Sequence, residues 1–180
     1  MDGIAAVVFI VLFLLGLGFI AHELEEIIVQ HKWMMRNAAT LKLRFPKLKR
    51  LFEHLLTLDS KAFFFAVIEE TIVLALVIFF SLSKGWSLLF FGIFFAYALH
   101  LLVHIIQGIL FRGYVPGLVT ACIFFPIFSC FSLSIFAFYK SSDAIALVAA
   151  GLAGICFLLV NLLFSHWLGK KISSLFDWAS

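Results

Sequence analysis

Apolar residues fall along this chain in long blocks, not in alternation. Five blocks are long enough for a helix that crosses a bilayer, which needs about 20 mainly apolar residues. They are residues 4–30, 62–83, 86–111, 117–139 and 144–168. Each is far longer than the alternating strands of about ten residues that a membrane β-barrel uses. The connection at 84–86 is so short that the second and third blocks are expected to form an antiparallel hairpin. No long internal repeat is visible. The pattern predicts an all-α fold, one polytopic membrane bundle over residues 1–180 with about five transmembrane helices.

A polar stretch, 31–61, separates the first two blocks. Within it, Pro46 suits a first helical turn, where its missing N–H costs nothing. Leu48, Leu51, Phe52 and Leu55 follow at i, i+3, i+4 and i+7, with Lys47, Lys49, Arg50 and Glu53 on the other faces. The spacing predicts an amphipathic interfacial helix on the cytoplasmic leaflet, as a lipid anchor or as a lid over a site.

Composition strengthens the membrane reading. Of 180 residues, 64% are hydrophobic and 13% charged, against about 45–50% and about 25% in soluble domains. That balance excludes most cytosolic enzyme folds. The 24 Phe are expected to serve as lipid-facing bulk. A net charge of +3 with grouped basic residues points to membrane lipids as partners and not to nucleic acid. Cys122, Cys130 and Cys156 lie in apolar runs, are odd in number and form no CxxC. They are expected to be small buried hydrophobes. Met1-Asp2 opens without a basic n-region, so a cleavable signal is not expected.

Charge asymmetry gives an orientation. Lys32, Arg36, Lys42, Arg44, Lys47, Lys49, Arg50 and Lys61 lie between the first two blocks, Arg112 between the third and fourth, and Lys170 and Lys171 after the fifth. Only Lys84 and Lys140 fall on the opposite side. The expectation is an integral membrane protein with its N-terminus outside and its C-terminus in the cytoplasm.

Several ionisable residues sit where the bilayer disfavours them. The first block carries His22, Glu23, Glu25 and Glu26, the second Glu69 and Glu70, the third His100 and His104. A charged side chain near the bilayer centre costs about 2.5–3.5 kcal/mol on insertion scales, so an unpaired set is unfavourable. By helical rise, Glu70, His104, His100, Glu25 and His22 all lie about 10–18 Å from the cytoplasmic ends of their spans. His22, Glu25 and Glu26 share a helix face, as do His100 and His104. Small residues flank them: Gly18 in the first span, Ala62 and Ala66 in the second, Gly92, Ala96 and Gly108 in the third. Such residues let membrane helices approach closely. A tight bundle of spans one to three with a polar centre is expected.

Imidazole with carboxylate suits a divalent metal, zinc or iron, and helical bundles hold two-metal centres with such sets. Candidate ligands are His22, Glu25, Glu26, Glu70, His100 and His104. A spare glutamate, Glu26 or Glu69, is a candidate general base. Bundle hydrogen bonding, metal-free ion pairs, haem ligation by His100 and His104, or a plain juxtamembrane end at His22–Glu26 are the alternatives. His31, His54 and His166 read as interfacial side chains. Asn161 and Ser165, four apart, read as hydrogen bonds between helices.

The run His22-Glu23-Leu24-Glu25-Glu26 resembles the signature of the HXXEE family of small bacterial membrane proteins. Tyr114-Val115-Pro116-Gly117 matches that family's Tyr-x-Pro-Gly motif, and either His100 or His104 corresponds to its separate histidine. The resemblance spans roughly residues 15–120. It implies a bacterial cytoplasmic membrane and a suspicion of catalysis, with no established activity. On physical grounds, Pro116 can start span four, Gly113 and Gly117 permit a tight turn, and Tyr114 is an interfacial anchor. Alternatively, the Tyr114 hydroxyl reaches the carboxylates as a catalytic proton donor.

Three functions compete. The first is a metal-dependent membrane enzyme working by hydrolysis or group transfer on a lipid or lipid-linked substrate, or by di-iron oxidation. The second is a proton- or cation-coupled transporter or channel subunit, since intramembrane Glu and His also serve ion relays. The third is a non-catalytic partner protein that docks through small-residue faces such as Ala150 and Gly154.

Overall fold

The computed structural model describes residues 3–84, 87–138 and 144–177. Met1-Asp2, the 85–86 connection, Lys140 and the expected end of span four at 139 lie outside the described residues. Among the described residues the fold is all-helical. The helices are α1 (Gly3–Arg44), α2 (Lys49–Leu56), α3 (Ser60–Lys84), α4 (Ser87–Phe111), α5 (Leu118–Phe138) and α6 (Ala144–Asp177). Ser60–Ser83, Leu88–Phe111 and Ala144–Phe176 are long and apolar enough to cross a membrane, and Leu118–Leu133 is a shorter apolar helix. The chain is a membrane protein by these helices.

The first helix does not stop at the expected bilayer edge. It runs 42 residues to Arg44, about 63 Å by helical rise. No Gly or Pro interrupts Phe19–Phe45, and Pro46 ends the run by disfavouring helix at the residue before it. A single 3₁₀ turn, Pro46–Leu48, leads into α2. The amphipathic helix thus exists, but its apolar face is divided. Phe52 is buried against Met34, Ala38 and Leu41 of α1, whereas Leu48 and Leu51 are exposed. Asp59 then caps α3, accepting from the Ala62 N–H at 2.7 Å, as short acidic side chains do at helix starts.

The close-packed unit is not spans one to three. Both α3 and α4 pack chiefly on α6, and α4 also packs on α5. A Cβ on Gly154 would lie 2.0 Å from the Gly92 carbonyl oxygen, and one on Gly92 would lie 2.4 Å from that of Ala150. Gly92 of α4 therefore receives α6, whereas Gly108 faces Leu118 of α5, and Ala150 and Gly154 are used inside the chain. Before the turn to α5, α4 finishes in a helix end of Schellman type. Gly113 N–H donates to Gly108 O and Arg112 N–H to Ile109 O. The left-handed residue is Arg112, at φ +59°, and not Gly113.

The core lies between α1, α4 and α5, around Leu15, Phe94, Leu101, Ala121 and Phe128. Phenylalanine consequently serves two environments: Phe94 and Phe128 are buried, whereas Phe13 and Phe79 are exposed. The cysteines are exposed, not buried as expected. His166 is also buried, against the expectation of an interfacial side chain. Its Nδ1 lies 3.3 Å from His54 Nε2, joining α2 to α6.

Candidate metal centre

His22 on α1 is fully buried, four residues past Gly18, where Phe124 and Phe128 of α5 press against the helix. His100 and His104 come from one face of α4, and their rings are 4.6 Å apart. His22 Nε2 is 3.2 Å from His100 Nε2, and His104 Nε2 is 3.1 Å from the same atom. The three side chains offer ligand atoms all within 4.8 Å of one another. They are close enough to hold a metal ion.

The outer ring nitrogens fix the tautomers. His104 Nδ1 lies 2.8 Å from the Pro116 carbonyl oxygen, which only accepts, so Nδ1 carries the proton. His22 Nδ1 lies 2.9 Å from Thr120 Oγ1. That hydroxyl donates its one proton to Glu25 Oε2 at 2.7 Å, so it must accept from His22 Nδ1–H. Both rings therefore turn an Nε2 lone pair toward His100. Partners of this kind on the far nitrogen orient metal-binding histidines in known sites.

The loop between α4 and α5 and the first turn of α5 supply these partners. Gly117 has φ +76°, which favours glycine, and a Cβ there would sit 2.6 Å from His22 Cε1 and 2.9 Å from His104 Nδ1. The Tyr-x-Pro-Gly turn is thus packed onto the two rings. Pro116 and Gly117 precede α5 and do not form its first turn.

The carboxylates divide into separate roles. Glu25 accepts from Tyr114 Oη at 2.8 Å, from Thr120 N–H at 2.9 Å and from Val119 N–H at 3.3 Å, as well as from the Thr120 hydroxyl. It caps the start of α5, where unpaired N–H groups favour an anion. Glu26 is buried, with Oε1 3.5 Å from His104 Nε2. Glu70 accepts from Ser165 Oγ at 2.6 Å and Glu69 from Asn161 Nδ2 at 3.3 Å. Asn161 and Ser165 so tie α6 to α3. Partial burial and the Glu25 carboxylate hold the Tyr114 phenol protonated above its usual range, and Trp33 Nε1–H donates to the Tyr114 carbonyl.

The structure thus brings His22, His100 and His104 together with Glu26 beside them. It joins Tyr114 to Glu25 and sets Glu69 and Glu70 toward α6. Thr120 and the buried Glu23 are site residues that sequence reasoning passed over. Glu23 stood inside the motif as a variable position, and Thr120 is a lone hydroxyl in the first turn of an apolar helix.

No curated protein and no solved structure matches this chain. One family model does, described as a protein of unknown function with an HXXEE motif, over residues 13–132. The match takes in the histidine trio, Glu25, Glu26 and the Tyr-x-Pro-Gly turn, while α6 lies beyond it. The chain belongs to the HXXEE family.

Proposed function

We propose that the protein is a metal-dependent membrane enzyme that acts on a lipid or lipid-linked substrate by hydrolysis or group transfer. One observation carries the reading. Two histidines with committed Nδ1–H groups aim their Nε2 lone pairs at a third Nε2, at 3.1 and 3.2 Å. A cation seated among the three nitrogens would receive these lone pairs, as would the Nε2–H of a His100 tautomer. Tetrahedral zinc, with Zn–N about 2.0–2.1 Å, keeps its nitrogens about 3.3–3.4 Å apart.

In this reading His22, His100 and His104 hold one divalent ion, zinc or iron. Three protein ligands leave a position open for water or substrate. A bound ion would polarise a substrate oxygen or activate a water. Glu26 is the fourth ligand or the general base. Tyr114 and Thr120 act through Glu25 and His22 as positioning residues, and Glu69 orients Asn161. A trio suits one ion better than a di-iron pair, which favours hydrolysis or transfer over oxidation. With five spans and the N-terminus outside, the Lys and Arg distribution sets this centre toward the cytoplasmic side.

Elemental analysis of detergent-purified protein tests the reading. About one zinc or iron per chain is expected, lost in His104→Ala and retained in Glu70→Ala. Folded wild-type protein without metal after loading would contradict it.

A further inference from the structure

A cavity of about 90 Å³, open along one side, lies between α1, α3, α4 and α6. Its long walls are hydrocarbon: Leu15 and Phe19 from α1, Val73 and Val77 from α3, Phe90 and Phe94 from α4. From α6, Phe157 stands half-exposed at the rim.

The polar wall residues collect at one end. On α1 the last lining residue is Glu23, on α4 it is His100, and on α3 the first is Glu70. Asn161 of α6 joins them. On α4 the apolar wall runs from Phe90 to Tyr97, about 10 Å by helical rise, before His100 is reached. One end of the cavity is therefore a wall of the histidine centre, and the rest is lined by hydrocarbon.

One feature describes what fits. The Tyr97 hydroxyl is buried in this wall and has no hydrogen-bond partner among the described residues. Buried hydroxyls are rarely left so. It is a donor waiting for an acceptor.

We propose that this cavity binds a single unbranched hydrocarbon chain carrying a carbonyl head, such as an ester or amide, whose carbonyl oxygen accepts from Tyr97. The proposal deepens the lipid-enzyme reading and rests on it for the chemistry, not for the binding. The chain lies along Phe19, Val77 and Phe94, and the head comes within reach of His100.

The test is photolabelling of the full chain in nanodiscs. The probe is a long-chain methyl ester with a mid-chain diazirine, and the labelled peptides are mapped by mass spectrometry. Labelling is expected on the Val73–Val77 and Phe90–Phe94 stretches. Unlabelled methyl esters should compete, each removed methylene weakening competition about fourfold. Tyr97→Phe should keep the fold and cut ester competition about fivefold to tenfold, with competition by the parent alkane unchanged. Leu74→Trp, which fills the cavity, should abolish labelling. Labelling confined to outward residues such as Phe79 and Leu163, or equal competition by ester and parent alkane, would overturn the proposal. Metal content of the same samples separates the two ideas. Specific cavity labelling in metal-free protein supports this proposal and removes the metal reading. Bound metal without cavity labelling does the reverse.

Discussion

The imidazole of His104 donates from Nδ1 to the carbonyl oxygen of Pro116 at 2.8 Å. The bond ties a buried histidine on α4 to the turn that begins α5. It explains why a Tyr-x-Pro-Gly turn accompanies an HXXEE helix in one chain: the turn sets the tautomer and angle of the rings that the helices bring together. Its consequences are measurable.

Gly117→Ala should disrupt the centre more than its size suggests. The new methyl would stand 2.6 Å from His22 Cε1, at a backbone φ of +76°. Alanine at positive φ costs more than about 1 kcal/mol. Both rings must also shift. A lower thermal midpoint together with a loss of metal affinity of at least about tenfold is expected, read by calorimetry and metal titration.

Thr120→Val keeps the volume and removes the hydroxyl between His22 and Glu25. It should weaken metal binding by about 10–100-fold, the usual effect of losing a partner behind a ligand. Helix content by circular dichroism should hold. Tyr114→Phe removes one of several donors to Glu25 from an exposed position and should have the smaller effect.

The α4–α6 seam should resist any side chain. Gly154→Ala is expected to cost about 1–3 kcal/mol, because its Cβ has no room beside Gly92 and the backbone cannot yield. Gly16→Ala on α1 meets nothing within 4 Å, so it should be neutral or slightly stabilising by helix propensity. Denaturation midpoints of the two variants side by side check this.

Acid should loosen α2. Neutral His54 accepts from Lys170 at Nδ1 and donates from Nε2 to His166. Partial burial and the Lys170 ammonium lower its pKa. A lowered folded value means stability that is present above the unfolded value of about 6.5 and lost as pH falls below it. Amide exchange in Lys49–Leu56, corrected for intrinsic rates, should accelerate between neutral and mildly acidic pH. His54→Gln should flatten that response.

The histidine trio was legible because its members obey helical spacing and share a depth, and nothing apolar can replace them in such blocks. The partners of Glu25 were not. They are backbone N–H groups and hydroxyls at the start of a distant helix, so the capping role of this carboxylate had no local signal. The reach of α1 to Arg44 was hidden by Lys32 and Arg36, whose charge suggested an interfacial loop. The uninterrupted absence of Gly and Pro up to Pro46 was the better signal. Small residues on α3 and α4 marked close contact correctly but do not name the partner, which proved to be α6, or α5 at Gly108.

X-ray absorption at the metal edge of the purified, metal-loaded protein tests the central claim most directly. The account predicts about three imidazole nitrogens at about 2.0–2.1 Å, with His22→Ala, His100→Ala and His104→Ala each removing one nitrogen shell or the ion itself. An ion with no nitrogen ligands, or one whose shell is untouched by all three substitutions, would contradict it.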